Sequence, residues 1–419
     1  MLIEFSVSNF RSFREKQTLS MVATPRLSKK RNVTKALVDG EKFPDLLKVA
    51  AIYGPNASGK SSLLQAMEVV CNLIRRVPNV NDYPLPVKPF RFDLALKEEP
   101  SRFEYNFIQQ QMRYQFVIEL TDKRVIYEKM ISYPKGKESL LYERSFSDGK
   151  ESYVFGEGLE GGKEVHKAWQ RLTSPKALFI SQAVANSSED LTQLRKPFQW
   201  FNTGLLVIGQ DAMRGWSRAS MNVLNRVNDL TTELEGFLQE VDIPVSKIRL
   251  DEEEKSLLQA DLETPEVSDY TERLENAVKL THSSQLGEAE FEFSEESGGT
   301  KNLIGFWLPW STMSLSQQYK SSVLAVDELD SSLHPEIVAD LIEKHLESGI
   351  HAQLIFTTHD THLMNAKILR RDQFWITERD ANGATNLFSV HDFVGREGED
   401  VEKRYFEGRY RGLPLIRRR

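Results

Sequence analysis

Cysteine is nearly absent: the 419 residues contain one, Cys71. A single thiol excludes disulfides within the chain and zinc sites built on cysteine. Its place in an apolar helical stretch makes it a small core residue. Long hydrophobic runs are also missing. No stretch of 18 or more apolar residues occurs, so no membrane span is expected. The opening Met1-Leu-Ile-Glu-Phe-Ser-Val has no basic n-region and carries an early Glu4, so it is not expected to be a secretory signal. A cytoplasmic protein is expected. There is no internal repeat and no sustained heptad pattern, so long coiled-coil arms are excluded. A general excess of positive charge is lacking too, since the net charge is −7. That charge is uneven. Residues 229 to 296 hold 20 Asp/Glu against 5 Lys/Arg, while 402 to 419 hold seven Lys/Arg against two Glu. A bulk-basic nucleic-acid binder is not indicated, although a local basic surface is compatible with this distribution.

What is present begins with Gly54-Pro55-Asn56-Ala57-Ser58-Gly59-Lys60-Ser61, a full match to the phosphate-loop pattern G-x-x-x-x-G-K-[ST]. The apolar run Val49–Tyr53 ahead of it reads as a buried strand, and Ser62 onward reads as a helix to about Arg76. In that context the loop and helix-start N–H groups point at an anion, favoured by the helix dipole. Lys60 would reach the β- and γ-phosphates and Ser61 would ligate Mg²⁺, with a nucleoside triphosphate as the bound ligand. The bland reading is a Gly-containing turn that binds nothing.

Residues 1 to 24 read as two strands about Asn9-Phe-Arg-Ser-Phe13, and 25 to 45 as a basic loop. Pro78, Pro84, Pro86 and Pro89 exclude a long helix after the first one. Four β-type runs follow: Phe103–Ile108, Tyr114–Leu120, Arg124–Tyr133 and Leu140–Phe146, separated by Gly-Lys turns. They predict an antiparallel sheet. Residues 163 to 180 are helical, and 190 to 286 are acidic and predicted mostly helical. Asp251-Glu-Glu-Glu254 reads as a solvated face, with a carboxylate metal site as the other reading. Alternation at Glu290-Phe-Glu-Phe predicts a short strand, then a Gly-rich turn and a helix of about 18 residues.

Two strands, Val323–Glu328 and Gln353–His359, flank a helical stretch at Pro335–Glu347, which is a parallel βαβ unit. The pair Asp327-Glu328 closes the first strand. Such pairs end many strands, but here one shares a chain with a full phosphate loop. Asp327 would then hold Mg²⁺, and Glu328 would orient or deprotonate the attacking water. His359, placed at the next strand's tip to sense a γ-phosphate, is otherwise a structural or surface histidine. The predicted fold class is α/β: a phosphate-loop core, an antiparallel β subdomain and a helical insertion. The segments are 1–75 with the phosphate loop, 76–185 β-rich, 186–288 the acidic insertion, and 289–419 the C-terminal lobe.

Taken together, Gly54–Ser61, Ser297-Gly298-Gly299, Val323–Glu328, Asp330-Ser-Ser-Leu-His334-Pro and Thr357-Thr-His359-Asp resemble an ABC-type ATPase head. The branch is that of SMC, RecF and OLD proteins. Nearer still is the AAA15/AAA21 group of prokaryotic ATPases, with its RloA/AbiL-like, AriA-like and PtuA-like antiphage defence proteins. Resemblance implies roles by position. The Asn9–Phe13 stretch is similar to the start of RecF heads, which puts Arg11 and Ser12 beside the nucleotide. Ser297, Gly298 and Gly299 match the signature that contacts ATP on a second protomer. Ser62 joins the ATP-binding set, and Gln182 takes the place of the Q-loop glutamine at Mg²⁺. Glu328 and His359 become the catalytic residues. Two departures stand out: Glu296 precedes the signature where transporters have an apolar residue, and His334 replaces the transporter D-loop Asp. The chain running on from His359 to Arg419 is expected to be too short for a fused TOPRIM nuclease. The implied function is an ATP hydrolase that assembles head to head, as a homodimer or higher oligomer. It would regulate a separate toxic effector, such as a TOPRIM or HNH nuclease, in antiviral defence. The alternative is a RecF/SMC-like repair clamp acting on DNA, and nucleic acid stays open as a partner.

Overall fold

The computed structural model describes residues 1–76, 84–226, 229–250, 277–315, 322–331, 333–347, 352–365, 368–396 and 398–413. The acidic run 251–254 lies outside them. The chain divides into two compact units: Met1–Val207 with Gln318–Asp327 and Leu346–Arg419, and Ile208–Gln317 with Glu328–His345.

In the first unit the chain opens with β1 (Leu2–Ser8) and β2 (Gln17–Ser20). A short pair, β3 (Val33–Thr34) and β4 (Leu46–Leu47), then leads into β5 (Val49–Tyr53) and α1 (Lys60–Arg75). Next come β6 (Ser101–Gln109), β7 (Met112–Leu120), β8 (Val125–Ser132), β9 (Ser139–Ser147) and β10 (Lys150–Phe155). With β1 and β2 they form a seven-stranded sheet in the order β10-β9-β8-β7-β6-β1-β2, antiparallel throughout. Burial along β6 alternates residue by residue over most of its length, as one covered and one more open face require. Helices α2 (Gly162–Leu172), α3 (Phe179–Ala185) and α4 (Arg195–Gln199) follow, then β11 (Leu205–Ile208).

The core sheet runs β11-β15-β16-β5-β17-β18, where β15 is Val323–Val326, β16 Gln353–Thr357, β17 Phe374–Arg379 and β18 Thr385–Ser389. The pairs β15–β16, β16–β5 and β5–β17 are parallel, and β18 closes the edge antiparallel to β17. Strands β5, β15 and β16 are buried at every position, the pattern of parallel strands covered on both faces. Fully buried Gln353 sews the two sheets together: it accepts from Leu2 N (2.6 Å) and donates to Leu2 O (2.9 Å) and Leu47 O (3.2 Å). Tyr105 on β6 donates to Ala66 O and Met67 O of α1. Phe107 stacks on Trp200 at 4.1 Å, so the sheet anchors the stretch that feeds β11. Cys71 is a core residue on α1, its thiol pushed up to about 12 by burial.

The second unit holds α5 (Met213–Arg226), α6 (Asp229–Glu240) and α7 (Gly298–Leu315), and most of α8 (Pro335–Glu347). It also contains β12 (Val245–Leu250), β13 (Val278–Ser284) and β14 (Gly287–Glu292), an antiparallel three-stranded sheet. The expected helical insertion is therefore partly β. Buried Val278 and Leu280 recur at the two-residue strand spacing, and a register shift between Val245 and Lys247 puts Ile248 in the buried set with Val245, while Glu290 and Glu292 pair across the sheet with Arg249 and Lys279. Among the described residues Glu288, Glu290 and Glu292 lie on β14, and Glu233, Glu235 and Glu240 on α6. Two short helices complete the first unit, α9 (His362–Asn365) and α10 (Val401–Phe406).

Candidate functional site

The phosphate loop spans the turn between β5 and α1, and its conformation demands glycine twice. Gly54 has φ 148° and Gly59 φ 107°. A Cβ on Gly54 would lie 2.3 Å from Thr377 Oγ1, and one on Gly59 2.2 Å from Thr385 Oγ1. The loop is braced from β17 and β18: Ser58 Oγ and Thr377 Oγ1 are 2.5 Å apart, and Thr385 Oγ1 lies 2.8 Å from both Ser58 O and Ser12 Oγ. Thr385 N donates to Ser12 O at 2.7 Å. Ser12 is thus packed at the loop. Its neighbour Arg11 has φ 50°, donates its backbone N–H to Lys88 O, and exposes its side chain. Although Arg11 is exposed, partial desolvation and the nearby Arg91 charge hold its guanidinium below the ordinary value.

Lys60 opens α1, and its buried ammonium donates to Gly54 O (2.9 Å) and Pro55 O (3.3 Å), closing over the loop. Asn56 and Ala57 at the loop tip are exposed, and Ser61 and Ser62 on the first helical turn are half-buried. Buried Asp327, just beyond β15, accepts from Thr357 Oγ1 on β16 at 2.6 Å. His359 is exposed past the end of β16. It shares a cleft of about 740 Å³ with Tyr53, Gly54 and Asn56 on one side and Glu378, Tyr405 and Phe406 on the other. Thr361 Oγ1 donates to Glu402 Oε1 at 2.9 Å, tying the turn after His359 to α10.

The family described as "AAA domain, putative AbiEii toxin, Type IV TA system" matches residues 49–365. The chain belongs to this family. It is an AAA-type ATPase chain, and its match runs from the phosphate-loop strand past His359. No curated protein matches it. Among solved structures it is similar to an SMC head domain from Thermotoga maritima, with 15% identity, a TM-score of 0.41, and coverage of 93% of this chain and 98% of that one. It is also similar to an SMC head bound to the C-terminal winged-helix domain of ScpA, with 13% identity, a TM-score of 0.44, and coverage of 93% and 99%. The assignment to an α/β phosphate-loop fold stands on the sheet order and loop geometry above.

In this AAA-family chain two glutamines differ in their surroundings. Gln182 lies buried on α3, and its side-chain oxygen meets Asn186 Nδ2 at 3.5 Å. Gln210 follows β11, the core strand beside β15, and its Nε2 donates to Glu328 Oε2 at 2.7 Å. The signal was present as Leu205-Leu-Val-Ile-Gly-Gln210, an apolar strand ending in Gly-Gln inside a stretch predicted helical. Glu328 has φ 52°, a left-handed conformation that is uncommon for a non-glycine residue and is found preferentially at functional positions. Ser331, three residues on, accepts from Asn302 Nδ2 of α7 at 3.1 Å. Ser297 caps α7, its Oγ accepting from Thr300 N at 3.1 Å. Ser297 and Gly298 are exposed and Gly299 is half-buried.

Proposed function

We propose that this AAA-family protein binds Mg-ATP on Gly54–Ser62 and hydrolyses it to ADP and phosphate in a site completed by a second copy. The observation that carries the reading is the braced phosphate loop with Lys60 folded over it, in one unit with buried Asp327. Lys60 exchanges its loop carbonyls for β- and γ-phosphate oxygens, and the N–H groups at the α1 start receive the phosphates. The Ser61 hydroxyl and the Asp327 carboxylate are hard oxygen donors of the kind Mg²⁺ takes, and Thr357 orients Asp327. Magnesium would neutralise charge on the phosphates. Glu328, oriented by Gln210, takes a proton from the attacking water, and His359 meets the γ-phosphate end. Ser297, Gly298 and Gly299 of one copy close over the nucleotide of the other. On this reading assembly follows the nucleotide cycle, and the cycle governs a separate toxic effector, a nuclease, in prokaryotic antiviral defence.

Phosphate release by wild type, Lys60→Ala and Glu328→Gln tests the chemistry. Turnover in wild type alone is expected, and equal turnover in all three would contradict it. Co-purification with the product of the adjacent gene, and toxicity on co-expression, test the effector arm. Neither association nor toxicity would count against that arm.

A further inference from the structure

The signature turn is surrounded by carboxylates, and each is tied elsewhere. Glu292 ends β14, and Glu295 and Glu296 stand between it and α7. Glu292 pairs with Lys279 at 2.8 Å, and Glu295 Oε2 accepts from Glu292 N at 2.8 Å. Glu296, directly before Ser297, pairs with His282 Nε2 at 2.6 Å, leaving its side chain 5% exposed. His282 belongs to β13, and its ring meets Phe291 of β14 edge-on at 5.0 Å. The pairing draws the acid next to Ser297 into the three-stranded sheet, while Ser297 and Gly298 stay exposed at the start of an 18-residue helix.

A released carboxylate at that place would compete for the positive helix end and repel a triphosphate brought to it. We infer that His282 is a positioning residue for ATP turnover: it keeps Glu296 away from the signature turn, so that a nucleotide phosphate can approach Ser297. This rests on the proposed reading of Ser297-Gly298-Gly299 as the turn that meets a second copy's ATP. It gives the acidic insertion a task, since the sheet of β12, β13 and β14 then controls whether the turn accepts an anion.

The test is steady-state Mg-ATP turnover of the full chain in wild type, His282→Ala, His282→Gln, the double variant His282→Ala/Glu296→Ala, and Ser297→Arg. His282→Ala should lower kcat by roughly tenfold, the scale of one charge placed at a helix end. Its KM should stay within about twofold, because the phosphate loop is untouched. His282→Gln, which keeps a donor for Glu296, should recover most of the loss. Removing Glu296 as well should raise kcat above that of His282→Ala, a reversal that simple loss of packing does not give. The inference falls if Ser297→Arg abolishes turnover while His282→Ala retains it, or if the double variant is as slow as His282→Ala. If Ser297→Arg turns over normally, the signature reading beneath it falls instead.

Discussion

Replacing Glu128 by alanine probes how the antiparallel sheet holds the helical layer against it. Glu128 is fully buried on β8 and receives three hydrogen bonds, from Phe179 N (2.8 Å), Ile180 N (3.2 Å) and Tyr142 Oη (2.7 Å). Arg144, also buried, stands 3.7 Å away. Burial pushes the Glu128 carboxyl above its ordinary value, opposed by Arg144 and the α3 amides. Truncation strands two helix-start N–H groups, a tyrosine hydroxyl and part of a guanidinium environment. Arg144 keeps Glu151 at 2.9 Å and the Ala177 and Ser174 carbonyls, which limits the damage. Breaking a buried pair costs about 3–5 kcal/mol, and at roughly 2–4 °C per kcal/mol melting should fall by about 6–20 °C. Glu128→Gln keeps the volume but turns one acceptor into a donor facing donors, for about 1–3 kcal/mol. Thermal unfolding followed by circular dichroism measures both. A melt within about 2 °C of wild type for Glu128→Ala, or a larger loss for Gln than for Ala, would refute the reasoning.

Three further outcomes are expected. Gly59→Ala should destabilise by about 2–4 kcal/mol through its positive φ and the clash with Thr385, and should abolish binding of a fluorescent ATP analogue. Gln210→Ala should lower kcat by about 10- to 100-fold while Gln182→Ala leaves it near wild type; the opposite order in phosphate release would restore Gln182 to the site. For Glu151 burial is outweighed by Arg144, Tyr153 and Arg124, which hold the carboxyl below its ordinary 4.5. Its stabilisation is therefore present above about pH 4.5 and is lost as pH falls through the lower folded value. Glu151→Gln should flatten the fall of melting temperature below pH 4.5, and an unchanged acid slope would contradict the pairing.

Much of the fold is legible in the residues because strong local signals and tertiary demands agree. The phosphate loop lies between β5 and α1, the four β-type runs form β6 to β9, and the helix expected after Ser297 is α7 with 18 residues. Where local signals are weak, reading fails. Strand β11 is four residues long and is held by the Phe107–Trp200 stack far back in sequence, so Gln210 was hidden in a supposedly helical stretch. The alternation at Glu290-Phe-Glu-Phe announces β14, but its partners β12 and β13 are six and seven residues long and lie in a stretch whose overall acidity reads as helical. The bracing of Ser58 by Thr377 and Thr385 spans more than 300 residues of sequence, and no local pattern carries it.

The central claim is that ATP joins two copies through the phosphate loop of one and the Ser297 turn of the other, and that hydrolysis at Glu328 releases them. Mass by light scattering, for wild type and Glu328→Gln with and without Mg-ATP, tests it most directly. The account predicts that Mg-ATP raises the mass, transiently in wild type and persistently in Glu328→Gln, whose turnover is lost. A mass indifferent to Mg-ATP in both proteins, with phosphate still released by wild type, would contradict it.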